Sequence, residues 1–186
     1  SNDNALTVIT LSNGNYVVRS DNWDASTLAT NAGAVTWGSG TSGVSGVVSA
    51  SNSLVGSSTS DSVGEGGIVV LNNGNYAVVS ANWSNGTLAT DAGAVTWGSG
   101  ASGVSGTISA SNSLVGSSTN DLVGSSGGGS FGSNSSGGVI ALSNGNYVVR
   151  TISWDASTLA TNAGAVTWGS GTSGVSGTIS ASNSLV

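Results

Sequence analysis

The sequence has no cysteine, proline, histidine, lysine or methionine, and its only basic residues are Arg19 and Arg150. Without cysteine there are no disulfides and no thiolate metal sites. Without histidine or lysine, none of the many serines has an ordinary base to activate its hydroxyl, and the scattered acids do not suggest a paired-carboxylate hydrolase. The composition therefore points away from an enzyme. Eight acids against two arginines give a net charge of −6, which disfavours nucleic acid and anionic membrane surfaces, both held mainly by clustered Lys and Arg. No apolar run approaches the 18 or more residues that would span a bilayer, so membrane insertion is not expected; no charged-then-apolar leader precedes Ser1, which reads as a signal removed or an excerpt of a longer chain. Charged residues make up 5% of the chain, against roughly a quarter in ordinary globular proteins. Solubility must rest on hydroxyls and amides, and this composition points to an extracellular or cell-surface setting.

What is present is repetition. The segment L-S-N-G-N-Y-V-V-R, followed by A-G-A-V-T-W-G-S-G and S-A-S-N-S-L-V, recurs three times, marked by Tyr16, Tyr76 and Tyr147, by Trp37, Trp97 and Trp168, and by Leu54, Leu114 and Leu185, at offsets of 60 and then 71 residues. A period of this size is the signature of a stacked repeat architecture. The expected units are 1–57, 58–117 and 118–186, the third enlarged by a Gly/Ser-rich insertion at about 124–138 that reads as a long surface loop.

Within a unit, Ala5–Ser12 is β-branched and too short for a helix, and Asn13-Gly14 followed by Asn15–Ser20 predicts a hairpin closed by a type I′ turn. Asn73-Gly74 and Asn144-Gly145 repeat it. Adjacent apolar residues such as Val17 and Val18 predict strands covered on both faces. Ala32–Trp37 reads as a third strand and Gly46–Val55 as a fourth, interrupted near Asn52. No segment carries 3.6-residue periodicity with caps, so helix is not expected. The fold class is all-β: three four-stranded antiparallel units, read as β-propeller-like blades, with a β-solenoid or stacked β-sandwich array as the alternative.

The order N-G-N-Y-V-V, A-G-A-V-T-W-G-S-G and S-L-V-G-S-S-T-x-D-x-V-G resembles the FG-GAP blades of integrin-α-like β-propellers. It more closely resembles tandem repeats of large secreted bacterial proteins of the filamentous-haemagglutinin and adhesin kind. The first resemblance implies a propeller whose loop before the second strand holds calcium on several carboxylates. The matching loops here, Ser12–Asn15, Asn72–Asn75 and Ser143–Asn146, carry none, so their asparagines read as turn formers and no metal is expected.

Gly38–Gly43, Gly98–Gly103 and Gly169–Gly174 match G-x-G-x-x-G, but a strand follows where a dinucleotide site needs a helix N-terminus, so no cofactor is expected. Trp37, Trp97 and Trp168 end apolar strands and read as packing residues. Trp23, Trp83 and Trp154 lie in polar loops, where an indole could stack on a sugar; they are the candidate glycan-binding residues. The functional expectation is a non-enzymatic extracellular structural or adhesive repeat, with a glycan-binding module as the alternative. Expected partners are further copies of the repeat, through a longer chain or self-association into a filament, and possible cell-surface glycans or proteins. The chain starts at Ser1-Asn2-Asp3, which matches Thr59-Ser60-Asp61, and stops at Leu185-Val186, so its ends read as nearly continuous in the repeat.

Overall fold

The computed structural model of the chain describes residues 6–26, 29–87, 89–125, 127, 135–156 and 160–186. Among these there is no helix. The first unit supplies β1 (Leu6–Thr10), β2 (Tyr16–Ser20), β3 (Ala34–Gly38) and β4 (Ser53–Val55). The second supplies β5 (Gly67–Val70), β6 (Tyr76–Ser80), β7 (Ala94–Gly98), β8 (Gly106–Thr107) and β9 (Ser113–Val115). The third supplies β10 (Ser135–Ser136), β11 (Val139–Ala141), β12 (Tyr147–Thr151), β13 (Ala165–Gly169), β14 (Gly177–Thr178) and β15 (Ser184–Leu185). Each unit forms its own sheet around an antiparallel meander, as the all-β, three-unit reading requires. Most of the insertion, residues 126 and 128–134, lies outside the described residues; its end, Ser135–Ser136, pairs with β11.

The hairpins stand where Asn-Gly places them, but the turn differs from the expected type I′. Leu11 O accepts from Gly14 N–H at 3.1 Å and Leu11 N–H donates to Asn15 O at 2.8 Å. Gly14 has φ +87, while Asn13 is not among the residues with positive φ. This is a type I turn over Ser12 and Asn13 followed by a glycine bulge, the commonest three-residue hairpin loop. Asn13 keeps an ordinary backbone because its Oδ1 accepts the Asn15 N–H at 3.1 Å, an Asx turn that needs no left-handed residue.

The fourth strand is interrupted near Asn52 as expected, but in the first unit its first half, from Gly46, is no strand. Asn52 accepts the Ser49 N–H at 3.0 Å and donates to Val47 O at 3.0 Å, turning the chain. Only Ser53–Val55 joins the unit's own sheet. In the second and third units the residues before the equivalent turn cross to the preceding sheet: β8 pairs parallel with β4 and β14 parallel with β9. Ile108 N–H then donates to Val55 O at 3.2 Å and Ile179 N–H to Val115 O at 3.1 Å. The first two sheets are thus completed by strands from their successors, in the orders β1-β2-β3-β4-β8 and β5-β6-β7-β9-β14, and the third runs β10-β11-β12-β13-β15.

The period-2 alternation of strands gives each sheet two faces. Register puts Val17, Arg19, Val35, Trp37 and Leu54 on the back of the first sheet and Tyr16, Val18, Ser20, Ala34 and Thr36 on its front. The back of the first sheet packs on the front of the second: Leu11, Val17, Val35 and Leu54 share a cluster with Tyr76, Val78, Ala94 and Ile108. The back of the second packs likewise on the front of the third, joining Val79, Val95 and Leu114 to Tyr147, Val149 and Ile179. Each fully buried aliphatic side chain there is worth roughly 1.5–3 kcal/mol. The middle sheet is the one covered on both faces, so every residue of β6 is buried; the two-faced burial expected from Val17 and Val18 holds there and not in their own sheet, where Leu6 and Val8 are exposed because no unit packs on that front.

Candidate functional site

The motif residues converge on the seams between sheets. Gly100 O, in the loop after β7, accepts from Asn13 Nδ2 at 2.8 Å, from Asn15 Nδ2 at 2.8 Å and from Trp37 Nε1 at 3.0 Å. The next seam repeats the arrangement. Gly171 O accepts from Asn73 Nδ2 and Asn75 Nδ2, each at 2.7 Å, and from Trp97 Nε1 at 3.0 Å. Each second asparagine also ties the glycine of its own unit, since Gly40, Gly100 and Gly171 N–H donate at 2.9 Å to Asn15, Asn75 and Asn146 Oδ1. Gly40, Asn15, Gly100, Asn75, Gly171 and Asn146 therefore form one hydrogen-bonded ladder along the three units. Such chains polarise, each bond strengthening the next.

Glycine is required at the rungs for space. A Cβ on Gly100 or Gly171 would strike the carbonyl oxygen of Gly74 or Gly145, and one on Gly103 or Gly174 would press on the Trp37 or Trp97 Cβ of the preceding unit. The G-x-G-x-x-G segment is a closed turn, with Gly103 N–H donating to Ser99 O at 2.7 Å and Ser99 Oγ accepting the Ala101 and Ser102 N–H groups. In each unit the tyrosine ring lies over its cross-strand glycine, Tyr76 over Gly98 and Tyr147 over Gly169. Burial pushes the Tyr147 hydroxyl up to about 12 despite the Val175 N–H that it accepts, and raises that of Tyr76 as well.

The loop tryptophans are placed by the same logic. Trp83 is 3% exposed in the first seam and Trp154 5% exposed in the second, and the Nε1 of each is buried without a hydrogen-bond partner. Neither presents an open indole face to a sugar. Trp23, at the matching place in the first unit, is half-buried and belongs to neither cluster. Of the strand-end tryptophans, Trp37 and Trp97 are half-buried against the following unit, and Trp168 is 55% exposed.

Two buried aspartates complete the seams, in the S-S-T-x-D segments that had counted only toward the resemblance to known repeats. Asp61 Oδ2 accepts the Ser57 and Ser58 N–H groups at 2.9 and 2.8 Å, and its Oδ1 accepts at 3.0 Å the N–H of Ser84, beside Trp83. Asp121 repeats this toward Ser117, Ser118 and Asp155. Burial raises the Asp61 pKa above its ordinary value; the three amides partly offset that, and Asp91 adds to it. Among the described residues no group of three or more acids gathers that could hold a metal ion. The asparagines had read only as turn formers; their second task shows in the sequence only as their return, with W-G-S-G, in every unit.

No curated protein and no solved structure matches the chain. A repeat family described as "Repeat of unknown function (DUF5650)" matches it over residues 10–65, 70–125 and 141–186. Those three matches cover most of the sequence, one in each unit, so the chain belongs to the DUF5650 repeat family.

Proposed function

We propose that this protein is a non-enzymatic extracellular structural or adhesive repeat, whose units serve to stack on one another and hold an extended surface. The observation that carries the reading is the seam: residues present in every repeat, Asn13, Asn15 and Trp37 with their second-unit counterparts Asn73, Asn75 and Trp97, are spent on the carbonyl of the next unit. A chain selected for a reaction would set such residues around a cleft. The near absence of charge and of catalytic bases supports the same reading, as does the likeness to secreted adhesin-type repeats; a blade-like arrangement of the sheets goes with it.

Antibody labelling of intact source cells tests the setting. Signal before permeabilisation is expected, and signal only afterwards overturns an extracellular role. Half-buried Trp23, in its polar loop, keeps a glycan-binding reading open to trial. Binding on a glycan array that disappears in Trp23→Ala, a substitution outside both seams, would favour that module.

A further inference from the structure

The two ends of the stack carry the two halves of a seam. On the back of the third sheet stand Val148, Arg150, Val166, Trp168 and Leu185, the same residue types in the same register as Val17, Arg19, Val35, Trp37 and Leu54 on the back of the first. On the front of the first sheet stand Tyr16, Val18, Ser20, Ala34 and Thr36, the same types as Tyr76, Val78, Ser80, Ala94 and Thr96 on the front of the second. The back of the first sheet on the front of the second is an interface this chain already forms. The back of the third sheet and the front of the first would therefore rebuild it at these positions residue for residue.

The hydrogen-bonding parts are present as well. Asn144, Asn146 and Trp168 reproduce the donors Asn13, Asn15 and Trp37, and no described residue supplies them with the glycine carbonyl that the other two sets hold. Gly40, the counterpart of buried Gly100 and Gly171, is exposed. β15 ends its sheet without the parallel fifth strand that β4 and β9 receive. Gly46–Val48, the counterpart of Gly106–Ile108, joins no sheet, leaving Val47 87% exposed. Beside it a groove on the front of the first sheet is lined by Leu6, Val18, Thr36, Val44 and Val48.

We propose that a second copy of this chain docks its first sheet on the third sheet of the first copy, head to tail. Gly40 O enters the Asn144, Asn146 and Trp168 donors, and Gly46–Val48 adds to β15 as a parallel strand. The proposal rests on the stacking-repeat reading and gives it a partner and a polarity. The contact joins two different patches, so a pair of copies keeps one free patch of each kind, one on each copy, and association continues into oligomers.

Sedimentation of the 186-residue chain over a wide concentration range tests it. Concentration-dependent growth beyond the dimer is expected. Trp168→Ala should weaken association at least about tenfold, as removal of a central aromatic anchor does, and leave the urea midpoint of dilute protein unchanged. Val48→Asp blocks one patch and Leu185→Asp the other, both at residues that the single chain leaves partly or largely exposed. Each variant alone should stay monomeric, and their mixture should form a one-to-one dimer that grows no further. A chain that is monomeric at every concentration overturns the proposal, as does a mixture that stays monomeric or a dimer insensitive to all three substitutions. Cell-surface labelling is untouched by these results, so either reading can fail without the other.

Discussion

The inner seams and the outer faces are made of the same residues and differ in what lies against them. Leu54 and Leu114 are fully buried, and Leu185, at the same place in its repeat, is 77% exposed. Tyr76 and Tyr147 are closed off completely, while Tyr16 is half-buried. Sequence in this protein therefore specifies what a position can bury, and the neighbouring unit determines whether it does so, the nearest-neighbour logic of repeat proteins. Substitutions at matched positions should accordingly have unequal effects.

The largest inequality is expected between Trp83 and Trp23. Trp83→Ala opens a cavity in the first seam and should cost about 3–5 kcal/mol, the usual cost for truncating a buried aromatic, whereas Trp23→Ala should cost much less. Urea unfolding of the two variants measures both. Trp83→Phe sharpens the point: it removes an N–H buried without a partner, whose desolvation costs about 1–3 kcal/mol, so it should be far milder than Trp83→Ala. Equal losses at Trp23 and Trp83 would break the comparison.

An intermediate difference is expected between Gly98→Ala and Gly38→Ala. In both, the new methyl runs into the ring of the cross-strand tyrosine. Tyr76 is enclosed and cannot swing away, so Gly98→Ala should incur the roughly 1–3 kcal/mol of overpacking; half-buried Tyr16 can yield, and thermal unfolding should show Gly38→Ala as the milder change.

The smallest effect is that of pH on Asp61. Its folded pKa is raised by burial, so the native state holds this proton more tightly than the unfolded chain. Its contribution is fully present below the ordinary carboxylate value of 3.8 and is lost as pH rises through the raised folded value. Urea midpoints taken across that window should decline with pH more steeply in the parent chain than in Asp61→Asn, which has no proton to lose there. Identical slopes would remove Asp61 as the cause.

Much of this fold was legible because local rules and the repeat agree. The β-branched runs and Asn-Gly pairs placed every hairpin, while the two covered faces implied by Val17-Val18 are realised only in the middle unit, because an end unit has one neighbour. The turn type was missed because an Asx bond from Asn13 allows a right-handed backbone where Asn-Gly commonly signals two left-handed residues. The break of the fourth strand near Asn52 was legible, but pattern cannot show that in the later units its two halves join different sheets. Trp83 and Trp154 drew attention for the polar company they keep in sequence; the surfaces they meet belong to the preceding unit and lie far away along the chain. The seam itself was invisible for the same reason, since Asn13 and Gly100 become neighbours only through stacking.

The parallel strand lent by each unit to the one before it also sets an order of assembly. A polypeptide is made from its N-terminus at about 5–20 residues per second, and β4 must wait about fifty residues before β8 exists to pair with it. The first meander can close early, but its outer edge stays unpaired for seconds while the following unit is synthesised. Each finished meander then offers an edge and a hydrogen-bonding end on which its successor settles. In a growing chain the youngest unit is always the incomplete one, so maturation should travel along the molecule in the direction of synthesis, one unit behind its leading end.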